Sequence, residues 1–353
     1  MQRRTYIKTV GAGSIAALAG CTGEGNGNNG GDNSTTGNGG NNEFTNTTLR
    51  VADSYPEGHY LRQTGVVPYT ERVTEETNGQ VTFEMFPGEQ LGSAQELLDL
   101  LKSGSTDIAI VGPSYVSDQL PLSTVATVPG TYSSTEEGAR EYWQLTQDFL
   151  YEEELSDHNV TPLHVSMLPP YQLATNNQVD SLSDMEGLSI RSGGGGMSRT
   201  IEELGATPVE MSGADVISSM ESGVIDSVIF TVPSLPAYDM QTYLDYCTNN
   251  VHLAGWSAFT LIRDEALEQL NTATQDVFNT VSEGFSAEVG ARIDEEAGQV
   301  REEISGEMEF YETEADSAMN QAIQPVYDHW SSNLDERGLP GSEVLDEWVS
   351  RFE

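Results

Sequence analysis

What most constrains this chain is a rhythm: short apolar runs alternate with segments of helical period, and a glycine or a turn divides each from the next. Leu49-Arg50-Val51-Ala52 alternates as a strand, residues 61–77 carry helical spacing, and Gly79 breaks the pattern before Val81, Phe83 and Met85 alternate again. Ser93 and Glu96 form a capping box ahead of Leu97, Leu98, Leu100 and Leu101. Gly104 ends that helix, and Asp107 to Val111 reads as a buried strand. The rhythm returns as strand Leu188–Arg191, helix Ser198–Leu204, strand Pro208–Met211, helix Ala214–Ser222 and strand Val224–Phe230. Two such blocks predict an α/β fold of two lobes, each a mainly parallel sheet flanked by helices. From Arg263 to Arg301, Leu267, Leu270, Val277, Val281, Phe285, Val289 and Ile293 recur at helical spacing, which predicts a long amphipathic brace across the body.

Composition narrows the function classes. Fifty-six acidic residues stand against 15 basic ones, a formal charge of −41, and Lys8 and Lys102 are the only lysines. Nothing here can replace phosphate counterions, so a nucleic-acid partner is excluded. With 37% hydrophobic residues the chain can bury a core, so disorder is excluded too. Solvated carboxylates in place of lysines fit a salt-adapted protein, whose self-repulsion is screened when the Debye length falls to roughly 3 Å at 1 M salt. Its 353 residues suit two lobes.

The N-terminus reads as an address. Arg3-Arg4 and Lys8 precede a weakly apolar run from Val10 to Leu18, which ends Leu18-Ala19-Gly20-Cys21. A cationic start, a short apolar run and small residues before a cut make an export signal over 1–20. The paired arginines resemble a twin-arginine signal, and Leu-Ala-Gly-Cys resembles a lipobox that would leave Cys21 lipidated. No run reaches the roughly 20 apolar residues of a membrane-spanning helix. Residues 21–47 are rich in Gly, Asn, Thr and Ser and predict a flexible tether. The expected location is extracytoplasmic, at the outer face of the cell membrane. Cys247 is left without a partner and reads as a small core residue.

No catalytic constellation is present. His59, His158, His164, His252 and His329 are scattered without metal-ligand spacing, and there is no nucleophile elbow or phosphate-binding loop. No metal or cofactor is expected, and a binding protein is the reading that remains.

A set of short motifs then carries a family resemblance. Asn78-Gly79-Gln80-Val81 through Phe86-Pro87-Gly88-Glu89-Gln90-Leu91-Gly92, Gly104-Ser105-Thr106-Asp107-Ile108-Ala109, and Val128-Pro129-Gly130-Thr131-Tyr132 come first. Asp184-Met185-Glu186-Gly187-Leu188-Ser189-Ile190-Arg191, Leu204-Gly205-Ala206-Thr207-Pro208-Val209 and Glu221-Ser222-Gly223-Val224-Ile225-Asp226 follow in order. Together they resemble TRAP transporter substrate-binding proteins of the DctP type, in a haloarchaeal-like, twin-arginine-exported form. The resemblance implies a two-lobed, periplasmic-binding-protein-like fold (type II-like) braced by a long helix. Lobe one would hold 48–168 and 257–296, and lobe two 169–256 and 297–353. It also implies capture of a small organic acid between the lobes and delivery to small and large TRAP membrane subunits driven by an ion gradient. A ligand-sensing lipoprotein coupled to a membrane receptor would use the same cleft.

By that resemblance Arg191 holds the ligand carboxylate, and its chemistry agrees: a guanidinium offers a rigid fork of donors that matches a carboxylate. Ligands in such sheets sit beyond the carboxyl ends of the strands, where Arg191 and Phe230 lie. Where relatives carry a second basic residue, this chain has Tyr171. Tyr55, His59, Tyr115, Phe230 and Trp256 complete the expected wall, apolar and aromatic, suited to a compact or partly apolar monocarboxylate. Gly193 to Gly196 either brings backbone N–H groups to the anion or serves as a loop.

Overall fold

The strands expected near the N-terminus form one sheet, because each places an unbroken or alternating aliphatic face on a helix. In the computed structural model, which describes residues 43–194, 196–211 and 215–352, the first lobe runs β1 (Thr47–Ala52), α1 (Val67–Glu76), β2 (Val81–Phe86), α2 (Leu97–Lys102) and β3 (Ile108–Val111). It continues through α3 (Thr135–Leu145), the short turn α4 (Tyr151–Glu153) and β4 (Val160–Met167). The second lobe runs β5 (Gln172–Thr175), β6 (Ser189–Ser192), α5 (Gly196–Glu203), β7 (Thr207–Glu210), α6 (Val216–Glu221), β8 (Ser227–Phe230) and β9 (Tyr246–Thr248). The chain then returns as β10 (Ser257–Arg263), α7 (Asp264–Glu268), α8 (Thr272–Ser282) and α9 (Phe285–Ile304). It ends with β11 (Glu309–Tyr311), α10 (Asp316–Ala322), α11 (Gln324–Glu336) and α12 (Gly341–Ser350). The export signal, Cys21 and the tether as far as residue 42 lie outside the described residues. From residue 43 the chain is already fastened: Asn271 Nδ2 donates to the Glu43 carbonyl, and Thr45 bonds both Asn271 and Thr274.

Two sheets form, in the orders β2-β1-β3-β10-β4 and β11-β9-β5-β8-β6-β7. Both are mixed: β1 pairs parallel with β2 and β3, β6 with β7 and β8, and β9 with β11. β10, which the sequence reading passed over, enters antiparallel between β3 and β4, because the chain comes back from the second lobe to fill the first sheet. Likewise β5 lies antiparallel to β8 and β9.

The brace expected from Arg263 to Arg301 is three helices. Asn271 caps α8 by accepting from Thr274 N, and Gly284 takes a left-handed φ of 75° that only glycine adopts without strain. Of these, α9 spans both lobes: Phe285, Val289 and Ile293 pack in the first lobe's core, Val300 and Ile304 in the second's.

The chain's end is shared between the cores: α11 carries Val326 into the second lobe's core and Leu334 into the first's. Val344, Leu345 and Trp348 of α12 also lie in the first core, with the Trp348 ring edge-on to Tyr142 at 5.7 Å. Helical spacing shows that α12 has an apolar face but not which core receives it.

Where the chain passes between lobes, the two crossings pair. Leu168 N donates to Trp256 O, Tyr171 N to Ala254 O and Leu253 N to Tyr171 O. Gly255 fits there because a Cβ would stand 2.1 Å from the Ala126 carbonyl oxygen. These paired crossings hold Tyr171 and Trp256 where the chain passes between the lobes.

Candidate ligand-binding site

Arg191 lies in β6, the middle of three parallel strands, and is 9% exposed. Its guanidinium lies over the Phe230 ring at 4.8 Å, and Nε donates to the Met211 carbonyl at 3.2 Å. Gly193 lies beside it, where a Cβ would come 3.6 Å from both terminal nitrogens. Those nitrogens make no hydrogen bond or ion pair among the described residues. Most other cations do find an acid: Arg50, Arg62, Arg72, Arg140, Arg199, Arg263, Arg292, Arg351 and Lys102 all form ion pairs. In a chain this acidic, a buried arginine without a carboxylate is a charge kept for something else, since burying an unpaired charge is costly. Burial pulls its pKa below the ordinary arginine value, and the tyrosine oxygens of Tyr171, Tyr238 and Tyr115 act the other way.

Of the residues expected in the wall, Phe230 lies under this charge, Tyr171 and Tyr115 are its electrostatic neighbours, and Tyr55, His59 and Trp256 connect to Tyr115 through ring contacts. Tyr171 lies 6.4 Å from Phe230 on the second lobe. On the first lobe Tyr55 stacks on His59 at 4.7 Å and meets the Trp256 ring at 6.3 Å, and Tyr115 meets Trp256 at 6.4 Å. His59 is sandwiched between Tyr55 and Tyr60, accepts from Leu61 N at Nδ1, and has its pKa lowered to about 4 by burial. It therefore stands as a neutral ring in the stack and brings no charge to an anion. Phe230 is 8% exposed and has given its face to the guanidinium, so it is the floor under Arg191 more than an open wall.

Two residues that the sequence reading missed belong to the same group. Tyr238 sits edge-on to Phe230 at 5.8 Å, and Tyr60 reaches from the first lobe to the Thr231 and Ser234 side chains of the second. Tyr238 follows β8 in a turn at that strand's carboxyl end, the one position rule that would have found it. Of the glycine run, Gly193 N donates to Met197 Sδ and Gly194 N to Ser192 Oγ, so neither is free for an anion, and Gly196 opens α5. Ser198 donates to Glu210 at 2.7 Å, which holds that carboxylate on the loop. The other arginine nearby, Arg62, is bound to Asp53 at 2.7 Å and to the Glu57 carbonyl. Among the described residues, the arrangement offers at Arg191 a positive charge without an ion pair, beside the tyrosines Tyr115, Tyr171 and Tyr238. Among the described residues no group of His, Cys, Asp and Glu is placed to hold a metal ion, and no helix is long and apolar enough to cross a membrane.

Known proteins share this architecture. A TRAP periplasmic solute-binding protein from Desulfovibrio salexigens superposes with a TM-score of 0.80 at 22% identity, covering 87% of this chain and 96% of its own. One from Bordetella bronchiseptica, with bound (R)- and (S)-mandelate, gives 0.73 at 20% identity over 87% and 98%. A solute-binding protein of Roseobacter denitrificans is 23% identical over 196 residues, 55% of this chain and 60% of the relative's length. All three are solute-binding proteins. The family model for bacterial extracellular solute-binding proteins of family 7, DctP, matches residues 52–333, and the chain belongs to that family.

Proposed function

We propose that this protein captures a small organic acid between its lobes, with Arg191 clamping the carboxylate, and hands it to a membrane transporter of the TRAP type driven by an ion gradient. The observation that carries the reading is the buried guanidinium of Arg191, which has no ion pair among the described residues, beside aromatic rings from both lobes. Because Arg62 is already paired, the ligand is a compact or partly apolar monocarboxylate, met by Tyr55, His59, Tyr115, Tyr171 and Trp256. Contacts to both sides of the cleft favour the closed arrangement, so binding shifts an open–closed equilibrium about the paired crossings, and the closed form docks on the membrane subunits. Residues 1–20 export the chain by the twin-arginine route, and lipidated Cys21 with its tether holds it at the outer face of the membrane. The acidic surface keeps it soluble in concentrated salt.

A thermal-shift screen in about 2 M KCl, where charge screening is nearly complete, tests this reading against small carboxylates, neutral sugars and amino acids. A compound at about 100 times its dissociation constant adds about 2.7 kcal/mol of stability. Monocarboxylates should raise the melting temperature and neutral sugars should not. The opposite pattern would refute the anion clamp.

A further inference from the structure

Four large apolar side chains are exposed among the described residues: Tyr115 (43%), Val224 (51%), Tyr238 (39%) and Tyr243 (37%). Tyr243 commits its hydroxyl to Glu221 at 2.8 Å. Tyr115 and Tyr238 have no hydrogen-bond partner for theirs among the described residues, and both lie at the cleft. They come from opposite lobes. Tyr115 is on the turn Pro113–Val116 just past β3, and Tyr238 is on the turn Pro236–Tyr238 just past β8. Each is an electrostatic neighbour of Arg191, and the two are neighbours of one another.

Both rings are set in place by built contacts. Tyr115 meets the Trp256 ring at 64°, and Tyr238 stands at 80° to Phe230, the ring under Arg191. Gly112 makes the first placement possible: a Cβ there would stand 2.9 Å from Trp256 Cζ2 and 3.0 Å from Tyr115 Cδ2, so both rings close onto bare backbone. Exposed aromatic side chains held in fixed positions with free polar tips are features of recognition surfaces, since tyrosine supplies large contact area at a low entropy cost.

We propose that Tyr115 and Tyr238 are the two leaves of a gate over Arg191 that closes on the ring of an aromatic monocarboxylate and so sets the specificity of the cleft. This rests on the reading of Arg191 as the carboxylate clamp. The guanidinium takes the carboxylate, and the two leaves take the faces and edges of the planar ring. Arg62, the other arginine nearby, is tied to Asp53 and does not await a second carboxylate. A polyhydroxylated acid would find few polar side chains in this wall beyond the phenols.

Isothermal titration with benzoate and with lactate, an aliphatic monocarboxylate of equal charge, tests the gate on the wild type and on Tyr115→Ala, Tyr238→Ala, Tyr115→Phe, Tyr238→Phe and Arg191→Ala. The wild type should bind benzoate at least about tenfold more tightly than lactate, a difference of about 1.4 kcal/mol. Either alanine variant should lose about tenfold or more in benzoate affinity and much less for lactate, so that the preference collapses. The phenylalanine variants keep the ring and should keep most of the preference. Equal wild-type affinities, no wild-type binding of benzoate, or a benzoate-to-lactate ratio unchanged by the alanine variants would overturn the gate. If those variants leave the ratio alone while Arg191→Ala abolishes binding, the gate fails and the clamp stands. If benzoate binding survives Arg191→Ala, the clamp fails and the gate with it.

Discussion

At the scale of single residues, the account turns on one charge. Arg191 is buried over Phe230, its terminal nitrogens without a partner among the described residues, an arrangement that favours an incoming anion and opposes the stability of the empty protein. Two opposite effects should therefore come from one substitution. Arg191→Met keeps the apolar stem and removes the charge, so carboxylate affinity should fall by roughly thirtyfold to several thousandfold, the counterpart of about 2–5 kcal/mol. The melting temperature of the ligand-free protein should stay level or rise, and a clear fall would show that the guanidinium has a structural partner. Arg191 was legible because motif and strand position agreed on it. Tyr238 was not, because a tyrosine in a proline turn carries no local sign of the charge it will face. Phe230 was found, but its role as a platform under the guanidinium depends on a contact between strands.

At the scale of elements, the strands and most helices of the two α/β blocks were legible because burial leaves its period in the sequence. β10 was missed: Ser257–Arg263 is nearly all buried, and a continuous run does not say which sheet it joins. The helices from 264 to 304 merged in the reading because one apolar face runs through all three, while the breaks depend on the Asn271 cap and the Gly284 turn. The same limit hid α12, whose Trp348 is fully buried against Tyr142 and Phe352. Trp348→Ala should cost about 3–5 kcal/mol, read by chemical denaturation, and a change under about 1 kcal/mol would mean that α12 is not part of the first core. Glu154 caps the turn at Leu122 and Ser123, accepting from both backbone N–H groups and from the Ser123 hydroxyl. Burial nonetheless pushes its pKa up from 4.5 to about 7. A raised carboxyl pKa means that the folded chain holds a proton the unfolded chain releases, so this contribution is full below about pH 4.5 and lost as pH rises through about 7. Glu154→Gln should therefore lose less melting temperature than wild type between about pH 5 and about pH 8. An unchanged difference between the two pH values would contradict the buried-acid assignment.

At the scale of the whole molecule, the two-lobed plan followed from the recurrence of α/β blocks, but the crossings did not. The paired crossings at 168–171 and 253–256 and the bridging helices α9 and α11 join residues far apart in sequence, and only the folded chain brings them together. With a formal charge of −41, mutual repulsion should weaken the fold in dilute salt. The melting temperature should rise steeply as KCl is raised from about 0.1 M to about 2 M, over which the Debye length shrinks from about 10 Å to below about 3 Å. A flat profile would remove the case for salt adaptation. The central claim is that a carboxylate is held between the lobes by Arg191, and isothermal titration of benzoate into the wild-type protein and into Arg191→Ala tests it most directly. The account predicts saturable binding to the wild type and a loss of at least about thirtyfold in the variant. Equal binding by the two proteins would contradict the clamp, and no binding by the wild type would contradict the aromatic specificity of the cleft.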